Sequence, residues 1–67
     1  MHPLKKLMVK HKLKLSEFVR EYEIGYTPEF INYVTKGQRN LSKRSAKDIS
    51  RATGIPVEVL MFPENYN

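Results

Sequence analysis

No cysteine occurs in the chain, so neither a disulfide nor a thiolate-held zinc can staple it. That constraint is severe, because a chain of 67 residues buries only about 60% of the surface its unfolded form exposes. The two histidines, His2 and His11, have no acidic or thiol partners at metal-ligand spacing. Stability must come from apolar packing, local helix signals or a partner subunit. The length is that of one domain, residues 1–67, with a core over 4–62 and a C-terminal tail at 63–67. Apolar residues make up 40% of the chain, too many for a disordered tail. The longest unbroken apolar run is Val59-Leu60-Met61-Phe62. A membrane helix needs ~20 such residues and a secretory signal roughly 7–15, so a cytoplasmic location is expected.

Apolar spacing and punctuation agree on helices throughout. Leu4, Leu7 and Met8 recur at helical spacing, with Pro3 in the first turn, and predict a first helix over 3–12. Phe18, Val19 and Tyr22 predict a second over 15–23, which Gly25 is expected to stop. Thr27-Pro28-Glu29 is a helix start: a capping hydroxyl, a preset φ and an acid at the positive end of the dipole. Ile31 and Val34, with Phe30 beside them, then line the inner face of a third helix over 28–36, ended by Gly37. Ser42 caps a fourth over 43–53, with Ala46 and Ile49 inward and Gly54 as its close. Ile55-Pro56 opens a short last helix over 56–61, burying Val59 or Leu60. The expected fold is all-α, a compact bundle of four to five short helices.

Two short helices joined by a turn, then a polar loop and a basic helix, describe a helix-turn-helix unit. The third helix would be the reading helix, since the major groove admits an α-helix of this kind. With Ile31 and Val34 inward, its outward set is Glu29, Asn32, Tyr33 and Lys36, with Pro28 at its leading end. Asn32 can bond adenine bidentately, Glu29 can accept from cytosine, and Tyr33 or Phe30 can meet a thymine methyl. The charge map points the same way. The chain carries a net +5, and residues 36–51 hold six basic residues against the single acid Asp48. Residues 17–29 hold four acids against Arg20. Gln38, Arg39 and Asn40, with Ser42, Lys43 and Arg44 at the start of helix four, can straddle a phosphate. Thr27 is a further candidate for a backbone contact.

The segment from Gly37 through Arg39, Ser42, Ala46, Ile49 and Gly54 to Pro56 resembles the back half of the Cro/repressor-type, lambda-repressor-like helix-turn-helix family. That family has a G-x-R-x-x-S loop, a helix with A-x-x-I, and then G-I/V before a final helix. Leu4, Leu7, Leu13, Phe18 and Val19 fall on its front-half apolar positions, so the resemblance spans 4–62. It implies a double-stranded DNA-binding transcriptional regulator of phage or bacterial origin, with helix 28–36 in the major groove. It also implies a backbone contact at the start of helix two, where Lys14 and Ser16 are the polar residues available, and commonly a homodimer on a symmetric site.

An enzyme is not expected: the chain has no phosphate-cradling glycine loop, no serine–histidine pattern and no paired carboxylates in a pocket. No cofactor is expected either. The competing expectation is a protein-interaction module on the same fold, an antirepressor or antitoxin-like partner of another regulator. Glu29, Tyr33 and Phe30 on the third helix favour it, and Met61, Phe62 and Tyr66 could form a sticky apolar patch for a second subunit. Tyr26, at the turn, is open between covering the core and touching the DNA backbone.

Overall fold

The computed structural model describes residues 1–65. It contains α1 (Pro3–Lys10), α2 (Leu15–Glu21), α3 (Pro28–Thr35), α4 (Lys43–Thr53), α5 (Val57–Met61) and a 3-10 helix at Pro63–Asn65. No strand occurs among the described residues, and none of their helices is long and apolar enough to cross a membrane. The protein is all-α.

The helix starts are set by local hydrogen bonds. The Phe30 amide donates to Thr27 Oγ1 at 3.1 Å, and the Ser45 amide to Ser42 Oγ at 3.1 Å. Each side chain satisfies a donor that the helix itself leaves without a partner. At α2 the Lys14 amide donates to the Glu17 carboxylate at 2.8 Å. At α1 the cap is His2, whose Nδ1 accepts from the Leu4 amide at 3.1 Å. His2-Pro3 thus resembles the Thr27-Pro28 start, except that a ring nitrogen replaces the hydroxyl and accepts from the amide two residues on instead of three.

The helix ends depart from expectation at the first two helices. α1 stops at Lys10 rather than 12 and α2 at Glu21 rather than 23. Gly25 is not the stop for α2, because its φ is not positive. The left-handed corner there is Glu23, φ 51°, as Lys12, φ 54°, is for α1. Both belong to Schellman turns. The Glu23 and Ile24 amides donate to the carbonyls of Arg20 at 3.2 Å and Val19 at 2.9 Å. The Lys12 and Leu13 amides donate to Val9 at 3.1 Å and Met8 at 2.9 Å. In each case the residue after the corner is apolar and turns inward: Ile24 is buried and Leu13 packs against the core. Burying these two side chains offsets the strain of a Cβ-bearing residue at positive φ. Gly37, φ 78°, and Gly54, φ 81°, end α3 and α4 as expected.

The core joins every helix. Leu4 and Met8 of α1, Phe18 of α2, Ile31 and Val34 of α3, Ala46 and Ile49 of α4 and Leu60 of α5 are buried, with Ile24 and Leu41 between them. Ile24 is a core residue that periodicity alone did not pick out, because it lies outside any helix. Val19 and Tyr22 are only half-buried, and of the pair Val59 and Leu60 it is Leu60 that is buried. No polar side chain is buried among the described residues. Full burial of Phe18, Leu4, Ile31, Ile49 and Leu60 is worth about 1.5–3 kcal/mol each relative to exposure. α2 packs on α3, α1 packs on α3 and α5, and α4 packs on α5. α3 is therefore held from behind by two helices, which leaves its opposite face to solvent.

Candidate nucleic-acid interface

α3 divides its residues by helical spacing. Ile31 and Val34 are buried, whereas Glu29, Tyr33 and Lys36 are exposed and Pro28 and Asn32 are half-buried. Steps of three or four residues join Glu29 to Asn32 and Tyr33, and both of those to Lys36, so the four share a face. Tyr33, 51% exposed, projects furthest into solvent among its large apolar side chains. Asn32 stands lower on that face, and its carbonyl accepts from Thr35 Oγ1 at 3.0 Å.

The segment following α3 reverses direction at Gly37. The Gly37 amide donates to the Val34 carbonyl at 3.1 Å and the Gln38 amide to the Tyr33 carbonyl at 2.9 Å. Gln38, Arg39 and Asn40 are exposed, then buried Leu41 pins the segment to the core ahead of α4. Ser42, Lys43 and Arg44 are also exposed. Ser42 has a committed hydroxyl: it accepts from the Ser45 amide and donates to Ser45 Oγ at 3.0 Å. What the start of α4 offers an anion is therefore the amides of Lys43 and Arg44, which precede the first helical bond, from Ala46 to Ser42, together with those two cationic side chains. Thr27 Oγ1 is likewise engaged as an acceptor, and that cap leaves its hydroxyl hydrogen to donate. Lys14 and Ser16 are exposed at the start of α2, and α2 packs on α3.

Lys36, Arg39 and Asn40 line a cleft of about 300 Å³ beside the end of α3, together with His2 and Glu64. Val34, Leu41 and Leu60 contribute to its lining. The burial of His2 lowers its pKa from the ordinary histidine value, with the charge of the chain's amino terminus acting in the same direction. A neutral ring suits its role, because Nδ1 must keep its lone pair to accept from Leu4. Among the described residues no group of three or more His, Asp or Glu side chains could hold a metal ion.

Contacts beyond α3 fix two aromatic residues. Phe30, beside the inward stripe, packs against the core, with the Arg39 guanidinium 5.0 Å from its ring centroid and the Tyr26 ring stacked on it at 5.0 Å with 24° between planes. Tyr26 is half-buried and covers the core edge, its hydroxyl donating to Asp48 Oδ2 at 2.8 Å. The Tyr26–Phe30 pair had a legible signal, the four-residue spacing across a helix start. The Asp48 partner, 22 residues away, had none. Phe62 is 50% exposed, whereas Met61 is half-buried; Tyr66, the third member of the expected apolar patch, lies outside the described residues.

No protein-family model matches the chain, and no curated protein or solved structure is significantly similar to it.

Proposed function

We propose that this chain is a sequence-specific double-stranded DNA-binding transcriptional regulator. On this reading α2 and α3 form the helix-turn-helix, and α3 lies in the major groove. The observation that carries the reading is the juxtaposition of two exposed surfaces. The polar face Glu29, Asn32, Tyr33 and Lys36 on α3 runs directly into the basic segment Gln38 to Arg44. With eight residues, α3 is about 12 Å long, a length the groove accommodates. Arg39, Lys43 and Arg44 and the amides at the start of α4 then take backbone phosphates, with Lys14, Ser16 and Thr27 on the other flank. The resemblance to the Cro/repressor-type family supports the same assignment and suggests a phage or bacterial repressor. It also suggests pairing on a symmetric site, which would raise the modest affinity of one small domain.

A salt titration of binding to duplex DNA tests this. The log–log slope is expected near −0.9 for each phosphate contacted, and selection from random duplexes is expected to return a defined motif. Absence of salt-dependent binding, or selection that returns no motif, overturns the reading.

One feature favours a second reading, an interaction module gripping another regulator. Tyr33 is bulky, 51% exposed and set beside acidic Glu29, a pairing better suited to a protein surface than to phosphates. Such a module would bind duplex DNA no more tightly than its net charge alone requires.

A further inference from the structure

Arg39 is the end of a run of side chains that crosses three elements. Its guanidinium carbon lies 5.0 Å from the Phe30 ring centroid on α3. Phe30 stacks on Tyr26, which precedes α3, with 5.0 Å between centroids. The Tyr26 hydroxyl is tied to Asp48 on α4 at 2.8 Å. Arg39 and Asp48 are exposed at the two ends, and the two rings between them are half-buried. An unrestrained surface arginine loses side-chain entropy when it grips a phosphate. A guanidinium resting on an anchored ring has lost part of that freedom beforehand, so binding costs it less.

On the reading of Arg39 as a phosphate contact, we propose that Tyr26 and Asp48 are positioning residues for it. The hydroxyl–carboxylate bond fixes the Tyr26 ring, that ring holds Phe30, and Phe30 presents the Arg39 guanidinium to the DNA backbone. Neither Tyr26 nor Asp48 touches DNA. Asp48 is also the one acid among the six basic residues of 36–51, where its charge opposes attraction to phosphate. Charge and positioning therefore make opposite predictions for its removal.

Asp48→Ala deletes a negative charge, and electrostatics alone expects tighter binding to a duplex of arbitrary sequence. Positioning expects binding about two- to fivefold weaker than that of Asp48→Asn, which sheds the same charge, the scale of a lost exposed cation–π contact. Tyr26→Phe removes only the hydroxyl and is expected to weaken binding by the same factor. The double variant should be no weaker than either, because both substitutions break one bond. Asp48→Asn keeps an acceptor oxygen and sheds the charge, so it is expected to bind more tightly than the unaltered protein. In the absence of DNA, nitrogen relaxation of the Arg39 Nε–H should show order lost in Asp48→Ala and Tyr26→Phe and kept in Asp48→Asn. Both weakening changes lie outside the apolar core, and circular dichroism should show them folded. Equal binding by Asp48→Ala and Asp48→Asn, or equal order at Arg39 in Tyr26→Phe and the unaltered protein, overturns the proposal. If the unaltered protein binds no duplex, the DNA reading fails, while the relaxation comparison still decides whether Tyr26 and Asp48 hold Arg39.

Discussion

Alanine at each glycine separates backbone strain from every other effect in this fold. A Cβ built at Gly25, Gly37 or Gly54 meets nothing within 4 Å, so no clash enters the comparison. Gly54 has φ 81° and Gly37 φ 78°. A Cβ in that region costs roughly 1–2 kcal/mol, offset by about 0.4–1 kcal/mol from the smaller conformational freedom of the unfolded chain. Gly54→Ala and Gly37→Ala should each lose about 1 kcal/mol, or roughly 4–8 °C in melting temperature for a domain of this size. Gly25 has no positive φ, so Gly25→Ala retains only the entropic gain and should be stabilised by about 0.4–1 kcal/mol. Glu23→Gly should relieve the strain at φ 51° and leave a net gain of about 0.5 kcal/mol. Urea unfolding followed by circular dichroism measures all four, with slopes expected to stay constant. If Gly25→Ala lost as much as Gly54→Ala while Glu23→Gly also lost stability, Gly25 would be the corner that ends α2. The assignment of that role to Glu23, and of Ile24 as its buried anchor, would then be refuted.

The remaining expectations concern charge and recognition. The folded-state pKa of His2 is lowered, so the unfolded chain binds the proton more readily. The stability His2 contributes is present above the unfolded value of about 6.5 and is lost as pH falls through the lower folded value. Unfolding across pH 5–8 should show a loss of up to about 1 kcal/mol, the worth of a helix cap, and His2→Asn, which keeps an acceptor without titrating, should flatten it. Asn32→Ala should relax preference at one base position in a duplex selection and cost ~1–3 kcal/mol on the best site; an unchanged motif would mean that another face of α3 reads the bases. Arg44→Ala should weaken all sequences about equally and reduce the salt slope by about 1, whereas a sequence-dependent loss would move Arg44 from backbone to base contact.

The parts of the fold governed by hydrogen bonds three residues apart were legible in advance. Thr27 and Ser42 announce α3 and α4 because their oxygens reach amides of their own first turn. Ile31 and Val34, and likewise Ala46 and Ile49, share helix faces whatever surrounds them. His2 caps α1 through an amide only two residues on, and a ring nitrogen is a rarer cap than a hydroxyl, so its role was not legible. The candidate interface was legible to the same degree: Glu29, Tyr33 and Lys36 are exposed because Ile31 and Val34 are not, and the segregation of basic residues into 36–51 is a property of the chain.

The ends of α1 and α2 were settled by distant contacts. Lys12 and Glu23 adopt positive φ although their own preferences oppose it, because Leu13 and Ile24 gain a place in a core built by all five helices. Phe30 has the spacing of a residue flanking the inward stripe, four before buried Val34, but the contacts of its ring with Arg39 and Tyr26 lie beyond α3. The hydroxyl bond that anchors Tyr26 spans 22 residues, so it exists only once α3 and α4 are folded together. The sequence by itself determined where helices start, which faces are apolar and where positive charge collects, since those depend on neighbours within one or two turns. The tertiary structure decided where the first two helices stop and which aromatic residues remain available to a partner. Those outcomes depend on burial and stacking between segments that meet only in the folded chain.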